Sequence, residues 1–179
     1  MYNRRSAAYR GEMLRTGRLV LTPVCASDHA ELVALWHHPR VREFLYDGEK
    51  LSADRVAQII TNSEKGFAAA NFGLWAIREN SGGPLLGTAG LRELDGGSDL
   101  EIIYSSSPAC WGRGLASEAA AAVLSHAFET LGLDRVLAEI DEANTASRAV
   151  VERLGMRPFE TVPGVIGPMI HYALERPRD

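Results

Sequence analysis

The sequence predicts an α/β domain of the α+β kind, built on a mixed, mostly antiparallel central sheet of about seven strands. Three observations lead there. The hydrophobic period changes from helical to strand-like at Phe72. Three strand-like runs then follow one another, separated only by the turn signals Asn80-Ser81-Gly82-Gly83-Pro84 and Asp95-Gly96-Gly97-Ser98, so they are antiparallel neighbours. Finally, a strand, a long helix and another strand form a unit whose two strands should be parallel neighbours joined by a right-handed crossover.

The elements follow in order. Arg18 to Val24 reads as a strand, with Leu19 and Leu21 on one face and Val20 and Thr22 on the other, stopped by Pro23 and the polar Ser27-Asp28. Ser27 or Asp28 can cap a helix carrying Leu32, Leu35 and Trp36 at helical spacing. Pro39 restarts the chain, and Val41, Phe44 and Leu45 make a second short helical face. Ser52 opens a third helix, with Val56, Ile59 and Ile60 inward, fading near Gly66 to Asn71. The runs Phe72 to Arg78, Leu85 to Leu94 and Leu100 to Ser105 are the three successive strands, and Pro108 closes the last. From Leu115 to Leu131 the stripe Ala116, Ala120, Val123, Leu124, Ala127, Phe128 and Leu131 marks a helix that Gly132 ends. Arg135 to Ile140 is a short apolar strand, Asn144 to Leu154 a helix closed by Gly155, and strands near Pro158 to Val162 and Met169 to Glu175 finish the chain, joined by residues 163–167.

With 179 residues, 46% of them hydrophobic and 23% charged, one domain and one ample core are expected: a flexible leader over residues 1–15 and a single domain over 16–179. The net charge of −4 is unevenly placed. Residues 1–17 carry Arg4, Arg5, Arg10 and Arg15 against Glu12, so the remainder is acidic, which argues against a nucleic-acid partner and suits a cationic acceptor such as an amine. Cys25 and Cys110 are isolated, which fits a reduced, cytoplasmic setting. Neither an apolar signal segment nor a membrane span can be read in the chain. The five histidines, His29, His37, His38, His126 and His171, lack ligand spacing, so no metal is expected.

The stretch from Cys110 to Glu118 has the residue types of an anion cradle. Gly112 and Gly114 hold no side chain between a ligand and the backbone, and the first amides of the next helix have no intrahelical acceptor. The helix dipole adds about half a positive charge there, and Arg113 adds a full one. The same residues also describe an ordinary turn before a helix. Reading Gly112-x-Gly114-x-x-Ser117 as a dinucleotide fingerprint fails: the third glycine is a serine, residues 105–110 separate the loop from its strand, and too little chain remains for a second half. A nucleotide-triphosphate loop fails for want of Gly-Lys-Ser or Gly-Lys-Thr, and a serine-hydrolase elbow for want of Gly-x-Ser-x-Gly.

In this order, the elements and the loop resemble the GNAT superfamily of acetyl-CoA-dependent N-acetyltransferases, and within it the RimJ/RimL-like branch. The segments that carry the resemblance are Arg18-Leu19-Val20-Leu21-Thr22-Pro23, Gly73 to Ile77, Leu86 to Leu91, Glu101 to Tyr104, Trp111 to Ala119, Asn144 to Arg148 and Leu154-Gly155-Met156. In the family's loop (Gln or Arg, two residues, Gly, one residue, Gly or Ala), Gly114 and Ala116 fill the last two places. Trp111 replaces the first, a departure usual in that branch. The resemblance implies the GNAT fold, with helices on both faces of the sheet, and acetyl-CoA (coenzyme A) as co-substrate. Trp111, Gly112, Arg113, Gly114, Leu115, Ala116 and Ser117 would surround the pyrophosphate. The backbone of Ile103, Tyr104 and Ser105 would pair with the pantetheine arm like an added strand, beside a parallel neighbour that splays away.

Acetylation of an amine needs the amine without its proton, a held thioester carbonyl and a means to stabilise the departing thiolate. On the resemblance, Glu101 can take the amine proton directly or through water, although it also reads as a salt-bridged strand carboxylate. Ser147 can donate to the thiolate, and Asn144 can orient the arm while capping its helix. Arg148, with Arg153, can reach the cofactor's 3'-phosphate, and Tyr104 can offer a hydroxyl. Trp36, Phe44, Phe72 and Trp75 read mainly as core, with one or two lining an acceptor pocket between the early helices and the loop joining the last two strands. The acceptor would be a protein N-terminus or a small amine, and a homodimer is compatible with the family. The competing reading is a non-catalytic acyl-CoA-binding or scaffolding protein of the same fold.

Overall fold

In the computed structural model, residues 11–94 and 99–177 are described. Eight strands form one sheet: β1 (Leu14–Arg15), β2 (Leu19–Pro23), β3 (Leu74–Glu79), β4 (Gly87–Glu93), β5 (Leu100–Ser106), β6 (Arg135–Asp141), β7 (Arg157–Pro163) and β8 (Pro168–Glu175). Their spatial order is β1-β2-β3-β4-β5-β6-β8-β7. Every neighbouring pair is antiparallel except β5 and β6, the pair joined by the helical crossover.

The strand beyond the expected seven is β1, which pairs with β2 through Leu14↔Leu21 and Arg15↔Val20. It lies within the stretch read as a flexible leader, so that reading does not hold for residues 14 and 15. Two residues are too few to show an alternating pattern, which is why sequence periodicity passes over them. Residues 1–10 and the turn Asp95 to Ser98 lie outside the described residues.

Helices cover both faces. On one side lie α1 (His29–His37), α2 (Pro39–Arg42) and α3 (Ala53–Ala70), whose Leu32, Trp36, Val56 and Ile60 pack with Val24, Leu74 and Ala76. On the other lie α4 (Leu115–Ser125) and α5 (Thr145–Arg153), where Ala119, Ala120, Val123 and Val151 join Leu21, Ile77, Ala89, Leu91, Ile102 and Val136. Local chemistry sets the helix ends. The Ser52 hydroxyl accepts the Arg55 N–H at 3.1 Å to start α3, and Asn71, at φ 58°, ends it in the left-handed conformation asparagine tolerates. The helix thus ends at Ala70, within the Gly66 to Asn71 stretch where fading was expected. After α4 a single π turn, His126–Thr130, carries the chain on to Leu131.

Candidate functional site

The site begins where the sheet opens. β5 is paired with β4 along its whole length, from Glu93↔Leu100 to Gly87↔Ser106. With β6 it shares the single parallel bridge Glu101↔Leu137. Beyond that bridge β6 stays with β8, from Arg135↔Glu175 to Asp141↔Met169, and the two parallel strands diverge. Ile103, Tyr104 and Ser105 sit on this open stretch, and a cleft of about 1770 Å³ lies against it. The Tyr104 hydroxyl crosses the gap to donate to the Ser147 carbonyl at the start of α5 (3.0 Å).

The loop expected to bind an anion forms the foot of the cleft. Gly112 and Gly114 have φ of 76° and 73°, a region in which a side chain is strained. A Cβ on Gly112 would meet nothing within 4 Å, and one on Gly114 would meet only the Arg18 guanidinium at 3.7 Å. Backbone conformation, not crowding, demands glycine here, and the space in front stays open. Gly114 is the N-cap of α4, and the first return bond is Glu118 N–H to the Gly114 carbonyl (3.1 Å). The amides of Leu115, Ala116 and Ser117 precede the helical ladder and are available to a ligand. Trp111 is fixed beside them by an Nε1–H bond to the Ser106 carbonyl (3.0 Å), with the Arg40 guanidinium 4.5 Å from its ring centre.

Two side chains expected near the anion lie elsewhere in this structure. The Arg113 guanidinium turns away to Glu79 (2.8 Å), and Arg113 does not line the cleft. Arg148 does not line it either: its Nε donates to the Tyr172 hydroxyl (3.4 Å) and its Nη1 to the Glu142 carbonyl (3.3 Å). The face of α5 toward the cleft carries Ala146, Ala149, Val150 and Arg153. Arg153 reaches the foot of the cleft, where it donates to the Ser117 hydroxyl (3.1 Å). Helical phase separates the two arginines.

Around the open strand, Glu101, Asn144 and Ser147 all line the cleft. Glu101 is only 2% exposed and accepts a bond from Arg92 Nε, directly across the β4–β5 register. Burial pushes its carboxyl above the ordinary value, the nearby Glu139 charge adds to this, and Arg92 opposes it. Asn144 caps α5, with its Oδ1 accepting the Ser147 N–H at 3.1 Å. Ser105 lines the cleft too, but its hydroxyl is taken by Trp36 Nε1–H (3.2 Å) and Thr88 (2.9 Å). Its side chain is therefore committed within the protein, and its backbone faces Thr88 across the β4–β5 ladder. Burial also raises the Tyr104 hydroxyl pKa well above normal, so it is a neutral donor.

The far end of the cleft is bordered by the α2 region, including Phe44, and by the β7–β8 connection, including Val165. Of the four aromatics singled out in the sequence, Phe44 alone lines it. Asp47 and Asp141 also stand there, and the Asp141 carboxyl is pushed up by burial and by the Asp47 charge. Sequence reasoning did not reach Arg92 or Asp141, because nothing short of strand register sets them beside the cleft. Among the described residues no group of His, Cys, Asp and Glu side chains could hold a metal ion, and no helix is long and apolar enough to cross a membrane.

Comparison with known proteins places this geometry in context. Residues 18–157 match a family described as the acetyltransferase (GNAT) domain. The chain is 32% identical over 154 residues to YkkB of Bacillus subtilis (strain 168), spanning 83% of this chain and 87% of that protein. It is 29% identical over 185 residues to the FsC-acetyl coenzyme A-N(2)-transacetylase of Aspergillus fumigatus, spanning 91% of this chain and 76% of that one. Among solved structures, an acetyltransferase from Agrobacterium tumefaciens str. C58 superposes with a TM-score of 0.80 at 24% identity, covering 92% of this chain and 94% of that chain.

Proposed function

This chain belongs to the GNAT family of acetyltransferases, and we propose that it moves the acetyl group of acetyl-CoA to a primary amine, a protein or peptide N-terminus or a small amine, by direct attack in a ternary complex. The observation that carries this reading is the unpaired stretch of β5 opening onto the unbonded first amides of α4. Such an arrangement suits a ligand that is an extended amide-bearing arm at one end and a pyrophosphate at the other. The open space before Gly112 fits that ligand. Bound there, acetyl-CoA would supply an activated acyl group as a thioester.

The chain's own residues would do the rest. The amides of residues 112–117 hold the diphosphate, Trp111 flanks it, and the open edge of the stretch Ile103, Tyr104 and Ser105 holds the arm, with the Tyr104 backbone as the part turned away from β4. Arg153, not Arg148, is the cation within reach of the cofactor's phosphates. Glu101 accepts the proton released as the new N–C bond forms and the C–S bond breaks, directly or through water. Ser147 donates to the departing sulfur, while Asn144 holds the start of α5 in place. Trp111 in the loop's first place supports the RimJ/RimL-like branch.

The test is turnover with labelled acetyl-CoA across peptide N-termini, polyamines, amino acids and aminoglycosides, read by mass spectrometry and by release of free thiol. One acetylated amine per CoA released is expected. Tight CoA binding without turnover in any class would favour the non-catalytic reading.

A further inference from the structure

Behind the glycine loop, on the side away from the cleft, one carboxylate and one guanidinium share a dense set of bonds. Glu118, in the first turn of α4, accepts the Arg18 backbone N–H (2.9 Å), Arg18 Nε–H (2.6 Å) and the Thr16 hydroxyl. Arg18 Nη2 also lies 2.6 Å from its Oε2. Arg18 Nη1 meanwhile donates to the Arg113 carbonyl (2.9 Å). Burial opposes ionisation of Glu118, yet the bonds from Thr16 and Arg18 hold its carboxyl below the ordinary value. Isolated surface ion pairs contribute little, but a fork-shaped pair embedded in a network is the exception. Neither Arg18 nor Glu118 lines the cleft.

The bond to the Arg113 carbonyl matters because of where that carbonyl lies. It sits between two glycines in the left-handed region, a segment with more backbone freedom than most. In a trans peptide the carbonyl and the next N–H point in opposite directions. Holding the Arg113 C=O from behind therefore aims the Gly114 N–H forward, and anchoring Glu118 fixes the turn that presents the amides of residues 115–117. Arg18 is neutralised by Glu118 and Arg113 by Glu79, so the anion faces amides whose direction is set from the rear.

We propose that Arg18 and Glu118 are positioning residues for the donor's pyrophosphate, acting through the Arg113–Gly114 peptide and the first turn of α4 without touching the ligand. This rests on the acetyl-CoA reading above. The test compares calorimetric affinities of the full chain for CoA and for pantetheine, which has the arm but no diphosphate. Arg18→Met should weaken CoA about tenfold while leaving pantetheine within about twofold, because the loss is one charge-assisted bond that serves only the diphosphate. Arg18→Lys, unable to span both partners, should fall between Arg18→Met and the parent. Glu118→Gln should show a smaller loss of the same kind. Equal weakening of both ligands, or unchanged CoA affinity in variants that melt cooperatively, would overturn the proposal. If the unaltered protein bound CoA no better than pantetheine, the donor reading itself would fall.

Discussion

Glu101 shows how burial and one neighbour tune a side chain for proton transfer. Because burial raises its carboxyl while Arg92 opposes the rise, the acid limb of the kcat profile should lie above the usual glutamate range, with turnover falling as pH drops through it. Glu101→Gln should remove that limb and lower kcat by about a hundredfold or more, the usual contribution of a placed base, with CoA affinity retained. Arg92→Met should move the limb to still higher pH, since the opposing charge is gone. Both outcomes are read from pH–rate profiles, and an unmoved limb in both variants would exclude Glu101 as the base. Glu101 could be singled out through the resemblance of its strand to the family's cofactor strand. Arg92 could not, because it faces Glu101 only through the β4–β5 register. Arg113 and Arg148 show the converse: charge and proximity in sequence suggested anion contacts, while Glu79 and Tyr172, distant in sequence, claim the two side chains.

Glycines in two elements separate ligand binding from stability. Gly114 holds φ 73° at the start of α4 with open space before it. Gly114→Val should cost about 1–2 kcal/mol of backbone strain and abolish CoA binding measured by calorimetry. Gly66 lies inside α3, where an added Cβ would sit 2.6 Å from the Phe72 carbonyl oxygen. Gly66→Ala should lower the melting temperature while leaving CoA affinity unchanged. The glycine loop, the long helix after it and the Asn144 cap were legible because each depends on residues close together in the chain. The left-handed conformation at Asn71 and the two-residue β1 were not. The first needs the Ser63–Leu74 hydrogen bond and the Phe67 packing that close α3 onto β3, and the second needs β2 already in place.

At the scale of the molecule, the order of elements could be read from turn signals and from one change of period, and the parallel pair followed from the crossover. The placement of β8 between β6 and β7, and the extent of the divergence between β5 and β6, belong to tertiary pairing and leave no local trace. A ligand that fills the divergence should stabilise the whole fold. CoA at a hundred times its dissociation constant adds about 2.7 kcal/mol, a rise of about 5–10 °C in melting temperature for a chain of this size, and pantetheine at the same concentration should add less because it binds more weakly. Thermal melts with each ligand check this. The divergence has another consequence. Exposed strand edges are templates on which other chains pair and aggregate, and proteins blunt them. The outer edges here are guarded: β1 is two residues long, and β7 carries Pro158, Pro163 and a bulge between Pro158 and Glu160. The third edge, on β5, is left unpaired but lies inside the molecule, flanked by α5 and the α2 region. Set back between those elements, it is less accessible to a neighbouring chain than an outer edge would be. The protein thus keeps a bare hydrogen-bonding edge without offering it to its neighbours in solution.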